Sequence, residues 1–253
     1  MDLGLKDKVI VITGGAQGIG AAITEMVLEE GGIPVVIDPH GSDQSITSDK
    51  KGLLIKKKLV NPEDSESAIS EVVSELGRID SIVNNAGIND QVGLEEGNPN
   101  AFRSSLEKNL THCYDLVHFA LPYLKKAKGT VVNISSKTAV TGQGKTSGYT
   151  ASKGGLLALT REWAVELLPY SIRVNAVIPA EVNTPLYQQW LNSFDNPDKR
   201  LKEVSSNIPL ENRLTKPEEI ASTVGFLISD KASHITGQHI FVDGGYTHLD
   251  RSL

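Results

Sequence analysis

The stretch Lys8-Val9-Ile10-Val11-Ile12-Thr13-Gly14-Gly15-Ala16-Gln17-Gly18-Ile19-Gly20 decides how this 253-residue chain is read. Its first six residues are mostly β-branched and do not alternate with polar ones, which marks a strand buried on both faces. Gly18 to Glu30 follows as a helix closed by Gly31-Gly32. Between them, glycines let the backbone approach a pyrophosphate, and the helix start offers free N–H groups at a positive dipole end. A turn that only tightens a strand–helix junction would also use glycine; the order strand, turn, helix favours a nucleotide. The spacing is G-x-x-x-G-x-G rather than the commoner G-x-G-x-x-G.

Outward from this unit the same alternation continues. Strands are expected at Ile33–Asp38, Leu53–Leu59 (the weakest), Ile79–Asn84, Thr130–Ser135, Ser171–Ile178 and His239–Val242. Helices are expected at Pro62–Leu76, Ala101–Lys126, Tyr149–Leu168 and Lys216–Ser229. Asn61 caps the first of these, with Pro62 at its first position and acids in its first turn. Pro122 should end or kink the second. Such β-α repetition predicts an α/β fold: a parallel sheet covered by helices on both sides, in a single domain spanning 1–253. Gly41 to Lys51 reads as a loop. Asn183 to Leu210 is an insertion carrying Trp190, Phe194 and Pro197, and it reads as a substrate loop or lid.

Composition narrows the function classes. The net charge is −6, which gives no reason to expect a nucleic acid partner. Cys113 is the only cysteine, so an intramolecular disulfide is impossible, and it reads as a small core residue. None of the six histidines has ligand spacing, so no catalytic metal is expected. Met1 to Lys8 carries charges, Val9 to Ile12 is too short for a signal core, and no apolar run reaches membrane-spanning length. The expectation is a cytoplasmic protein without membrane association.

Tyr149 and Lys153 are four residues apart, one turn along a helix face. A nearby ammonium favours phenolate, so the pair can serve as a general base toward an alcohol or an acid toward a carbonyl. Taken alone, Y-x-x-x-K is common by chance. Ser136 lies at the same sheet edge and can orient a substrate oxygen. Asp38 ends the second strand, where a carboxylate accepts hydrogen bonds from ribose hydroxyls and repels a 2′-phosphate. His40 is the one nearby cation in the turn after that strand, and Lys50, Lys51 and Lys56 to Lys58 follow further on. Asn84-Asn85-Ala86-Gly87 fits either a cleft edge or turn chemistry. Asn109 either braces backbone and water or lies on a solvated helix face. Asn89, Asp90, Lys137, Gln143, Lys145 and Glu181 are loop residues at the strands' C-terminal edge. They suit a polyhydroxylated substrate better than an apolar one, with about half expected to face solvent.

Together these motifs resemble the short-chain dehydrogenase/reductase family over essentially the whole chain. The resemblance rests on Thr13-Gly-x-x-x-Gly18-x-Gly20, Asn84-Asn85-Ala86-Gly87, Ser136 with Tyr149-x-x-x-Lys153, and Ile172-Arg173-Val174-Asn175. It implies a single Rossmann-like domain with a seven-stranded parallel sheet, a nicotinamide cofactor and a homotetramer. By resemblance, Tyr149 is the acid/base, Lys153 its modifier and a ribose ligand, Ser136 the substrate orienter, and Asn109 the anchor of a relay water. Cofactor contacts pass to Gly14, Gln17, Gly18, Ile19, Gly20, Asp38, Leu59, Asn85, Ala86, Gly87, Pro179, Val182 and Thr184, with NAD expected and NADP disfavoured. Substrate contacts are expected from Asn89, Lys137, Gln143 and Glu181.

Two departures stand out: Lys58 before Leu59, where the family has an aspartate, and Pro179-Ala180-Glu181 in place of Pro-Gly. A narrower likeness is to the bacterial L-fucose dehydrogenases of this family. Ser136 to Gly144, Pro179 to Val182 and Gly244 to Arg251 carry it. The expected reaction is oxidation of a sugar hydroxyl to a lactone. The alternatives are reduction of a 3-oxoacyl or other carbonyl substrate, and nucleotide sensing without chemistry.

Overall fold

Val9–Thr13 forms β1, buried along its whole length. Its side chains alternate between two cores: Val9 and Val11 face one side of the sheet, Ile10 and Ile12 the other. The computed structural model describes residues 2–41 and 52–249. Around β1 lie β2 (Ile33–Ile37), β3 (Leu53–Ile55), β4 (Ser81–Asn84), β5 (Thr130–Ile134), β6 (Arg173–Pro179) and β7 (His239–Val242). They make one seven-stranded sheet in the order β3-β2-β1-β4-β5-β6-β7. Every pairing is parallel. The chain steps outward from β1 to β3 and then returns to β4 on the other side of β1. Loops diverge there, leaving a crevice at the strands' C-terminal ends.

On one face pack α2 (Pro62–Leu76), α4 (His112–Ala127) and α6 (Ser147–Glu166). On the other lie α1 (Gly18–Glu29) and α9 (Pro217–Ile228), which also pack on each other. Fully burying each aliphatic side chain here contributes about 1.5–3 kcal/mol, so two such cores carry the fold. The cap of α2 is as the sequence implies. Asn61 Oδ1 accepts from the Asp64 N–H at 2.9 Å, Asp64 Oδ2 accepts from the Asn61 N–H at 3.2 Å, and Gly77 closes the helix at φ 72°.

Several boundaries differ from the sequence expectation. β3 stops at Ile55 rather than Leu59, because its partner β2 runs into Asp38-Pro39, and proline offers no ladder N–H. The helix expected at Ala101–Lys126 begins at Pro99 and has three parts: α3 (Pro99–Leu106), a π-helical turn (Glu107–Thr111) and α4. Pro122 does not end it. Pro122 and His118 are on the exposed side, where the carbonyl lacking its intrahelical donor can meet water. A short α5 (Thr138–Thr141) follows β5, and the insertion 183–210 contains α7 (Pro185–Leu191) and α8 (Pro197–Ser205). The loop expected at Gly41–Lys51 lies outside the described residues except for Gly41, as do Lys50, Lys51, Asp250 and Arg251. Among the described residues, no helix is long and apolar enough to cross a membrane.

Candidate active site

The glycine-rich turn sits at the crevice. A Cβ on Gly20 would stand 2.0 Å from the Gly14 carbonyl oxygen, so only glycine allows α1 to start this close to β1. Thr24 Oγ1 ties the turn down through the carbonyls of Gly15 and Gly20. Gln17, the N-cap of α1, makes no side-chain capping bond, and the first turn of α1 carries no acid. By contrast, side chains cap α2, α7 and α8. The first N–H groups of α1, from Gly18, Ile19 and Gly20, are therefore left for an anion.

Asp38 is buried at the end of β2 and accepts from the N–H of Ala16 (3.2 Å) and of His40 (2.9 Å). A carboxylate has about four acceptor positions, so two bonds of this kind still leave room for ribose hydroxyls. These features fit a dinucleotide. Thr184 leans over the turn, its Cβ 3.3 Å from where a side chain on Gly18 would begin. Val182 bridges to Thr215 and holds the segment after Pro179 alongside. Asn85 turns its amide inward, donating to the carbonyls of Thr13 (2.9 Å) and Gly14 (3.1 Å), so it braces the turn. With the N–H of Ala86, its own N–H is received by Thr13 Oγ1. Leu59 is half-buried against the core under α2 and α4.

The reacting end lies across β4, β5 and β6. Lys153 on α6 is 2% exposed and donates to the Ile134 carbonyl at 2.8 Å. Ser135 Oγ pins α6 to the end of β5 through the Lys153 carbonyl. Asn109 is fully buried in the π-helical turn, accepting from the Ile88 N–H (2.7 Å) and donating to the Ser105 carbonyl (3.0 Å). Of the two readings of Asn109 the buried brace holds. A Cβ on Gly87 would come 2.9 Å from Asn109 Oδ1 and 3.2 Å from Lys153 Nζ, so glycine lets those groups converge beneath it.

Ser136 is buried, accepts from Thr138, and its hydroxyl hydrogen-bonds the Tyr149 phenol. Burial pushes Tyr149 above its ordinary pKa; Ser136 opposes this and the Glu181 carboxylate adds to it. The expected depression of Tyr149 by Lys153 is not what this geometry gives. Lys153 Nζ lies 5.7 Å from the Tyr149 ring centroid and is engaged by Ile134. Burial also lowers the pKa of Lys153 itself, weakening it as a cation. His112, buried and held down at about 4, is neutral, and burial raises the Cys113 thiol to about 12, as suits an inert core cysteine.

A cleft of about 790 Å³ opens from Ser136 and Tyr149. Lys137 and Glu181 form an ion pair on its wall, and Lys137 Nζ stands 4.0 Å over the Tyr246 ring. Asn89 and Gln143 line the cleft. Asp90 turns away, accepting from Ser105 Oγ at 2.8 Å with Lys108 at 3.7 Å. Lys145 lies at the exposed rim, paired with Glu96. The sequence reading did not place Tyr187, Arg200 or Tyr246 at the site. Tyr187 and Arg200 lie in the insertion, whose aromatic residues were the available signal. Gly244 and Gly245 (φ 61° and 82°) turn Tyr246 inward, with Asp243 accepting from the N–H groups of Gly245 and Thr247. Among the described residues, no three His, Cys, Asp or Glu side chains group to hold a metal.

Comparison with known proteins agrees with this geometry. A family model described as enoyl-(acyl carrier protein) reductase matches residues 14–247. An L-fucose dehydrogenase of Rattus norvegicus, a mammalian rather than a bacterial enzyme, is 36% identical over 241 residues, covering 94% of this chain and 88% of its own. The crystal structure of Cj0485 dehydrogenase superposes with a TM-score of 0.96 at 43% identity, covering 100% of this chain and 99% of its own. The ligand-free aldohexose dehydrogenase of Thermoplasma acidophilum gives 0.91 at 33% identity, covering 99% and 98%.

Proposed function

We propose, starting from the fact that this chain belongs to the short-chain dehydrogenase/reductase family, that it is an NAD-dependent oxidoreductase of a sugar hydroxyl. The substrate class is an aldose such as L-fucose, oxidised at its anomeric carbon to a lactone. The observation that carries this reading is the polar group that shares the cleft with Ser136 and Tyr149: the Lys137–Glu181 pair, Asn89 and Gln143. Relatives named for L-fucose and aldohexose support it. A relative named 3-oxoacyl-(acyl-carrier-protein) reductase, 35% identical over 248 residues, favours a second reading, reduction of an acyl-carrier-bound carbonyl. Ile88, Leu186, Trp190 and Val204 also line the cleft, but an acyl chain would leave the largely buried Lys137–Glu181 pair without a polar ligand. Initial rates with a panel of aldoses and NAD, against a 3-oxoacyl thioester and NADH, decide between them. Turnover of the thioester alone would reject the sugar reading.

When bound, the nicotinamide supplies the hydride acceptor. Ser136 holds the substrate oxygen and Tyr149 Oη removes its proton. Asn109 and Lys153 converge beneath Gly87, where a water can carry the proton onward. Asn89 and Gln143 meet other sugar hydroxyls, and α7 and α8 act as the lid. The protein is cytoplasmic and assembles as a homotetramer through the exposed Tyr114, Val165 and Leu168 of α4 and α6 and their continuation. Gel filtration at the monomer mass would reject the tetramer.

Two expected results arise here. A 2′-phosphate about 5 Å from Asp38 would cost about 3 kcal/mol per unit of its charge at an effective dielectric of about 20. Hence kcat/KM favours NAD over NADP by about tenfold or more, and Asp38→Ala narrows the gap. Equal efficiency with both cofactors would show Asp38 turned from the ribose. Lys56 and Lys58, both exposed, and Lys57, which donates to Ser67, do not offset it. Second, Glu181→Ala raises KM for the preferred aldose about tenfold or more, since a charged hydrogen bond contributes about 1.5–3 kcal/mol. If Glu181 binds ground and transition states alike, kcat stays near wild type. An unchanged KM would place Glu181 outside sugar recognition.

A further inference from the structure

Tyr187 sits on α7 with its phenol oxygen buried and without a hydrogen-bond partner of regular geometry. Its ring lines the cleft and packs on Trp190 at 5.1 Å between centroids. Its N–H donates to Thr184 Oγ1, the cap of α7, so the backbone beneath it is anchored. Burial, then the charge of the neighbouring Glu181 and a hydrogen-bonding contact with it, keep Tyr187 protonated far above neutral pH. The hydroxyl is therefore a fixed donor at working pH.

Glu181 is equally constrained. Its carbonyl accepts from the Thr215 N–H at 2.9 Å, and Lys137 engages its Oε1. Lys137 is itself held by its N–H bond to the Pro179 carbonyl at 2.9 Å and by the Tyr246 ring. A buried hydroxyl without a well-formed hydrogen bond is costly, so a site that keeps one beside a rigid carboxylate is built for a ligand that satisfies both.

We propose that Glu181 and Tyr187 form a hydroxyl-recognition subsite. One substrate hydroxyl, away from the oxidised carbon, donates to the Glu181 carboxylate and accepts from the Tyr187 phenol. Lys137 and Tyr246 act as positioning residues that hold the carboxylate. This subsite rests on the sugar reading above, and it makes Tyr187 a specificity-determining residue carried by the lid. The aldose is recognised by one particular hydroxyl, because a site built to hydrogen-bond that group leaves its own buried polar atoms unpaired when the group is missing.

The test crosses Tyr187→Phe with a set of aldoses, the preferred one and analogues each lacking one hydroxyl. At one position the wild type loses about tenfold or more in kcat/KM when the hydroxyl is removed, and Tyr187→Phe loses little further there. On the intact sugar the variant is down by a similar factor. Glu181→Gln should single out the same hydroxyl. Trp190 fluorescence under sugar titration reads binding without turnover, since the other tryptophan, Trp163, is buried in the core. Melting temperature separates a folding defect. Three results would overturn the subsite: no effect of Tyr187→Phe on any aldose, equal loss on every analogue, or a different hydroxyl singled out by Glu181→Gln. A wild type that turns over no aldose would reject the sugar reading itself, and the subsite with it.

Discussion

Replacing Tyr149 by phenylalanine is expected to remove nearly all turnover, about 10²- to 10⁴-fold in kcat, while NADH affinity stays near wild type. Only the proton acceptor is lost: the ring remains in place on α6 and Lys153 keeps its bond to Ile134. The pH profile gives a second signature. Burial and Glu181 set Tyr149 above its ordinary value of about 10, and Ser136 offsets this only in part. Alcohol oxidation needs the deprotonated form. Its kcat/KM should therefore climb with pH from about 7 to about 10, while carbonyl reduction, which needs the protonated form, stays flat over that range and falls only above it. The phenylalanine variant should show a flat residual rate. Kinetics in both directions, with NADH titrated by fluorescence, check this; a variant keeping more than a small fraction of kcat would remove Tyr149 from the reaction.

Lys153→Ala should damage both binding and chemistry. Lys153 is buried between Ile134, Asn109 and Gly87, so truncation strands the Ile134 carbonyl and opens space at the base of the cleft. A loss of about tenfold or more in NAD affinity is expected, accompanied by a loss in kcat. Lys153→Met, which keeps the volume, separates packing from charge. If the methionine variant binds NAD normally, Lys153 does not reach the ribose. A melting temperature shared by Lys153→Met and wild type would show that any loss is one of function.

Much of the molecule was legible in the chain because the relevant physics is local. Val9 to Thr13 is buried on both faces, and a parallel strand of that kind needs no alternation. Asn61-Pro62 and Gly77 announce the ends of α2 through their own backbone chemistry. Gly20 must be glycine because Gly14 is its neighbour in the same turn. Tyr149 and Lys153 share a face because helices repeat every 3.6 residues. The misplaced boundaries are those set by neighbours rather than by the segment itself. β3 ends where β2 stops offering partners, and the π-helical turn at Asn109 is tied to Ile88, 21 residues away.

The sequence by itself determined the strand–turn–helix unit, the parallel sheet and the set Ser136, Tyr149 and Lys153. Each depends on spacing, glycine freedom or burial patterns within a few residues. Only the tertiary structure decided how the set is tuned and what the cleft presents. Lys137 meets Glu181 across 44 residues, and Tyr246 reaches Lys137 from beyond β7. Tyr149 is raised rather than lowered because desolvation sums over every atom packed around it, while the Lys153 charge is held by a carbonyl 19 residues back. Spacing along the chain carries no record of which loops meet at a sheet's edge. Electrostatics in a buried cleft depends on just that meeting.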